Sequence, residues 1–205
     1  MRTLYLWDLA GTLFLEKWNK TLSGFNSFED FVAARGILFS DARRFEECYY
    51  EPYIQGYFWL QLAPGFKEML TWAKHNETFN TGFQKQMDWR ARYLNPRVGF
   101  DIRKFFQKLN STFDWGETNV KTPAMLQQYL EIKIKENYST VVYSDDHLEN
   151  VKFFISAAKK INRQCRDFKW RAYHVVNKNG GWRAAEGYFQ AGSLLDILEK
   201  EKSIA

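Results

Sequence analysis

The sequence predicts an α/β protein, a parallel sheet with helices on both faces. Two observations carry that expectation. Short apolar runs alternate along the chain with segments of helical period, the pattern of strands joined by crossover helices. Several of these runs are apolar without alternation, as strands buried on both faces are.

The first run is Thr3–Asp8, where Leu4, Tyr5, Leu6 and Trp7 lead into an Ala10-Gly11-Thr12 turn. From about Phe14 to Leu62 the chain is aromatic and charged. It has helical patches at Phe28–Val32 and Ala42–Tyr50, broken by Gly24, Gly36, Pro52 and Gly56. A small helical insertion is expected there, its aromatic run Tyr49–Trp59 forming a packing core and Arg43-Arg44 lying on a solvated helix face. Pro64-Gly65 turns into a helix over Phe66–His75, with Phe66, Met69, Leu70 and Ala73 on one face. A strand is expected over Thr78–Thr81, a helix over Gln84–Asn95 and a further strand over Arg103–Leu109. Pro123–Asn137 is read as a helix, Thr140–Tyr143 as a strand bounded by Ser144-Asp145-Asp146, and Glu149–Ile161 as a helix. Trp170–Val176 is expected to be the last core strand and Leu194–Lys202 the closing helix.

A chain of 205 residues suits one domain with a small insertion. Aromatic residues reach 18%, so core and pocket are expected to be ring-lined. The net charge of +5 favours anionic ligands, but the basic residues form no stripe, and nucleic acid is not expected as the main partner. No run approaches the roughly 18 apolar residues of a membrane span. MRTLYLWDLAGTLF lacks a signal peptide's long apolar run, so a cytoplasmic location is expected. Cys48 and Cys165 stand alone, as reduced thiols do.

In parallel sheets the ligand sits beyond the carboxyl ends of the strands. The residues there are Asp8, Thr81 and the pair Asp145 and Asp146. Trp7-Asp8-Leu9-Ala10-Gly11-Thr12-Leu13 resembles the nucleophile motif of the haloacid dehalogenase (HAD) superfamily, a strand followed by Asp-x-Asp-Gly-Thr. Thr81-Gly82 resembles its Thr/Ser motif, and Lys121 before Thr122-Pro123 its Lys motif. Ser144 to Asn150 resembles its acidic motif, Asp-Asp-x-x-x-Asn. Each motif alone is weak; four in order, spanning nearly the whole chain, reinforce one another.

The resemblance implies an HAD-like Rossmannoid sheet, with residues 1–13 and 63–205 as core domain and 14–62 as a small helical C1 cap. It also implies a Mg²⁺-dependent, phosphatase-like hydrolase acting on a small phosphorylated metabolite. A carboxylate attacks a phosphate dianion only when a cation offsets their repulsion. By resemblance, Asp8 is the nucleophile, forming an aspartyl-phosphate that water hydrolyses. Asp8, the backbone carbonyl of Ala10, and Asp146 would hold the metal, with Asp145 a further ligand or a partner behind it. Thr81 and Gly82 would hold the phosphoryl oxygens, and Lys121 would neutralise charge on nucleophile and transferring group. Lys108, on a strand-like run, is the rival for the lysine's place.

The chain departs from the family at Ala10, where most of its phosphatases carry the Asp that protonates the leaving group. Three readings follow. Asp-x-Ala-Gly-Thr is the form carried by phosphonoacetaldehyde hydrolases, which cleave a phosphonate C–P bond through a cap lysine. Here Lys17 and Lys20 lie close to the first strand and no lysine occurs from Thr21 to Phe66, so that lysine is not matched. Alternatively the protein is a weak phosphatase, or one in which another group such as His147 supplies protons, or a catalytically silent ligand- or partner-binding protein. The dehalogenase branch also lacks the second Asp but uses no magnesium, against which the Asp145-Asp146 pair argues.

Overall fold

The computed structural model describes residues 2–38, 40–81, 85–116, 118, 120–178 and 181–204. Seven of the described strands form one sheet. In spatial order they are β5 (Lys108–Ser111), β4 (Asn76–Asn80), β1 (Arg2–Trp7), β6 (Tyr138–Asp145), β7 (Lys169–Val175), β9 (Tyr188–Ala191) and β8 (Trp182–Ala185). Every pairing is parallel except β8 on β9.

The two-residue period of a strand divides the core. Leu4 and Leu6 face one way and pack with Val141, Tyr143 and Ala172 against α7 (Pro123–Lys135) and α8 (Leu148–Gln164). Tyr5 and Trp7 face the other way, joining Val142 and Tyr173 against α5 (Phe66–Trp72), α6 (Lys85–Val98) and α9 (Leu194–Ile204). The expected arrangement, a parallel sheet with helices on both faces, is the one found. α7 begins where Thr122 Oγ1 accepts from Met125 N at 3.2 Å, with Pro123 just inside the helix.

β4 is wholly buried although its sequence is Asn-Glu-Thr-Phe-Asn. Its polar groups find partners inside. Asn76 accepts from the Trp7 indole at 2.9 Å, and Glu77 takes Lys133 Nζ at 2.9 Å and the Tyr129 hydroxyl. Breaking such a buried ion pair on one side costs about 3–5 kcal/mol, so these contacts fix β4 in place. The strand starts two residues before the expected Thr78 because those partners, not apolar side chains, pull Asn76 and Glu77 inside.

Three other expectations are corrected. Arg103–Leu109 is not one strand: Ile102–Phe105 is a 3₁₀ turn, capped where Asp101 Oδ1 accepts from Arg103 N at 3.1 Å, and pairing starts only at Lys108. β7 is not the last strand, since β9 continues the parallel sheet and β8 folds back on it through Gly187, whose φ is +79°. The stretch from Phe14 to Leu62 is not helical throughout, because its ends pair as antiparallel strands, β2 (Phe14–Trp18) with β3 (Phe58–Leu62).

Between those strands lie four short helices, α1 (Lys20–Ser23), α2 (Phe28–Ala33), α3 (Ala42–Glu47) and α4 (Tyr50–Ile54). Trp18 of β2 packs on α2 and β3: the rings of Phe28, Phe31, Tyr57 and Phe58 lie 5.1–5.9 Å from it, and its indole N–H donates to Phe25 O at 2.8 Å. Most of the aromatic run is therefore packing core, while Tyr50 and Trp59 are exposed. Cys48 and Cys165 are both free thiols. No described helix is long and apolar enough to cross a membrane.

Candidate active site

Parallel register aligns the carboxyl ends of the central strands. Trp7 pairs with Ser144, Asp8 N donates to Ser144 O at 2.9 Å, and Asp145 pairs with His174 of β7. Asp8 and Asp145 thus leave adjacent strands side by side. After Asp8 the chain makes one tight turn in which Leu13 N and Phe14 N both donate to Leu9 O at 2.9 Å. The turn's apex is Gly11, at φ +73°.

Lys121, in the loop leading to α7, reaches into this corner. Its buried Nζ donates to Asp8 Oδ1 and, at 2.6 Å, to Asp145 Oδ2. Asp145 is fully engaged: it also accepts from the Tyr143 hydroxyl at 2.6 Å, His147 N at 2.8 Å and Asn150 Nδ2 at 3.2 Å. Lys108, by contrast, is exposed on the edge strand β5.

Asp146 differs from its neighbour. The backbone carbonyl of Asp146 bonds the ring of His174 at 2.9 Å, but its Oδ1 is buried with no hydrogen-bond partner. Carboxylate oxygens of Asp8, Asp145 and Asp146 lie within 4.8 Å of one another. A side chain at Gly11 would put its Cβ 2.0 Å from Asp146 Oδ2, so only glycine leaves this hollow open. Three close hard-oxygen donors, one of them unsatisfied, fit a divalent cation.

The electrostatics agree. Burial pushes the Asp8 carboxyl up to about 8; Lys121 pulls it down, while Asp145 and Asp146 push it further up. Burial likewise raises Asp146, with His147 opposing and Asp145 adding to the shift. Burial alone would lower the Lys121 ammonium, but Asp145 and Asp8 outweigh it and the group is held charged. Three carboxyl groups around one ammonium leave the site short of positive charge.

Two cavities open on this corner. One of about 620 Å³ is lined by Asp8, Ala10, Thr81 and Lys121 together with Phe45 and Tyr49 of the insertion. The other, about 530 Å³, includes Ala10, Gly11 and Asp146. Ala10, Glu29, Tyr49 and His147 border both. The structure therefore brings Asp8, Ala10, Thr81, Lys121, Asp145 and Asp146 to one place; Gly82 lies outside the described residues. His147 is exposed on the rim. Sequence reasoning missed Arg90, Gln86, Tyr143 and Asn177. Arg90 had a readable signal, since Gln86, Met87, Arg90, Ala91 and Leu94 fall on one stripe of α6, and a charge on a buried stripe calls for a purpose.

No protein-family model matches the chain, and no curated protein matches it in sequence. Solved structures do match in fold. The UTR4 protein of Saccharomyces cerevisiae superposes with a TM-score of 0.55 at 11% identity, over 95% of this chain and 99% of that one. A predicted phosphoglycolate phosphatase from Haemophilus somnus 129PT superposes with a TM-score of 0.50 at 14% identity, over 98% of each. At these identities the likeness is one of fold, and the fold is the HAD-like one.

Proposed function

We propose that this HAD-like chain is a Mg²⁺-dependent phosphoryl hydrolase that uses Asp8 as its nucleophile on a small phosphorylated metabolite. The observation that carries the proposal is the buried clamp in which Lys121 bridges Asp8 and Asp145 beside the unsatisfied Asp146 Oδ1. Asp8, the carbonyl of Ala10, and Asp146 would hold the ion, while Asp145, already engaged by its neighbours, would keep Lys121 in place. Bound there, magnesium would polarise the phosphoryl oxygens and offset the repulsion between two anions. An Asp8 carboxylate oxygen then attacks phosphorus, the ester oxygen leaves, and water cleaves the resulting aspartyl-phosphate. The Thr81 hydroxyl donates to a phosphoryl oxygen, and Lys121 balances the charge that moves through Asp8. Residues 14–62 would act as the cap that closes over the cavity and excludes water.

The experiment is turnover of a nitrophenyl phosphate with magnesium and with EDTA. That leaving group is acidic, so the missing acid at position 10 matters least. Metal-dependent release is expected; no release in either condition would remove the hydrolase and favour the second reading. On that reading, which Ala10 itself favours, the site binds phosphate and magnesium but turns nothing over.

Metal binding should depend on pH. With the Asp8 carboxyl raised to about 8, its proton must leave before the carboxylate serves as a ligand. Mg²⁺ affinity is expected to fall about tenfold per pH unit below that value, to level off above it, and to be accompanied by proton release. Calorimetric titration in buffers of different ionisation enthalpy measures this, and a flat profile from pH 6 to 9 would contradict it.

A further inference from the structure

Arg90, on α6, is 1% exposed, yet it lines the same cavity as Asp8. Its Nε donates to Glu16 Oε1 at 2.6 Å and its Nη1 to Gln86 Oε1 at 3.1 Å. The same Glu16 oxygen accepts from the Tyr53 hydroxyl of α4 at 2.5 Å. Nη2 makes no hydrogen bond among the described residues.

The molecule holds an internal contrast. Arg171 meets Glu201 with both arms of its fork, Nε to Oε1 at 2.6 Å and Nη2 to Oε2 at 2.5 Å. That is how an arginine serves as a strut, with one carboxylate filling the two-pronged edge of its fork. Arg90 spends only one donor on its carboxylate. Glu16 borders the second cavity but not the first, and Arg90 the first but not the second, so Glu16 does not line the cavity on which Arg90 opens. The rings of Phe14 and Tyr53, at 5.5 and 5.7 Å, further fix the plane of the guanidinium. A buried, immobilised arginine with an open donor loses little side-chain entropy when an acceptor arrives.

We propose that Arg90 anchors a second anionic oxygen group of the substrate, a carboxylate or a further phosphoryl group, while Asp8 takes the first. This rests on the reading of Asp8 as nucleophile and adds the substrate class: phosphate monoesters that carry another acidic group. Because Glu16 ties Arg90 to Tyr53, the anchor is set by α6, β2 and the insertion together.

The test is equilibrium binding of non-hydrolysable arylphosphonates in the presence of magnesium, alongside nitrophenyl phosphate turnover. Plain, carboxylated and doubly phosphonylated aryl compounds distinguish the two sources of the second anion. The wild-type protein is expected to bind one of the two dianchored compounds about 10- to 100-fold more tightly than the plain one. Arg90→Lys, which keeps the charge but loses the fork, is expected to remove most of that ratio. Equal affinity of the wild type for all three, or an unchanged ratio in Arg90→Lys, overturns the proposal. Should Arg90→Lys fail to fold, the wild-type ratio still decides. Turnover is read separately: release of nitrophenol without any preference rejects Arg90 alone, whereas preference without release rejects the nucleophile and leaves a binding site for compounds that carry two acidic groups.

Discussion

Asp8→Asn is expected to take nitrophenyl phosphate hydrolysis down to background, a loss on the order of 10⁴- to 10⁶-fold if Asp8 is the nucleophile. The same substitution should stabilise the metal-free protein at alkaline pH. Burial raises the folded carboxyl from its ordinary value of 3.8 to about 8, so folding favours its protonated form. The contribution of Asp8 to stability is therefore fully present below about pH 4 and is lost as pH rises through 8. Asparagine carries no such cost, and Lys121 keeps Asp145 as its partner. Melting curves with EDTA should show the variant ahead at pH 9 and the gap closing toward pH 4. Added magnesium should raise the wild type's melting temperature more than the variant's. Unimpaired turnover in Asp8→Asn would remove the nucleophile from the proposal.

Ala10→Asp is expected to raise hydrolysis of simple alkyl phosphates by about 10²- to 10⁴-fold, with a much smaller change for nitrophenyl phosphate. An alkoxide leaves poorly without a proton, whereas nitrophenolate needs none. Room exists for the carboxylate, because Ala10 is exposed and borders both cavities. Comparing kcat/KM for the two leaving groups in both proteins measures the effect. If the natural protein hydrolyses alkyl esters well and the substitution adds nothing, another group already supplies the proton and the silent-binder reading fails.

Strands buried on both faces were readable because their period and composition coincide, as in Leu4–Trp7 and Thr140–Tyr143. The acidic pair was readable for a related reason: Asp145 and Asp146 end an apolar strand, where charges have no packing role. What stayed hidden depends on contacts far along the chain. Asn76 and Glu77 look like loop residues until Trp7, Tyr129 and Lys133 are seen to meet them. β8 and β9, four residues each, carry too short a pattern to register, and Gly187 between them reads as any turn. The choice of Lys121 over Lys108 rests on Lys108's strand-like run, and burial of the one and exposure of the other agree with it. Local pattern thus reports elements and strand ends, whereas long-range polar partners decide where a strand begins and which charges converge.

The pairing of β1 has a kinetic side. Its neighbours are β4, which begins at Asn76, and β6, where Arg2 pairs with Tyr138. On the ribosome β1 is made before either, so the strand that leads to Asp8 waits for most of the chain before both its edges are covered. Such long-range, parallel closure slows folding and leaves an apolar edge exposed to neighbouring chains meanwhile. Slow synthesis or a chaperone that shelters nascent strands should therefore raise the yield of native protein.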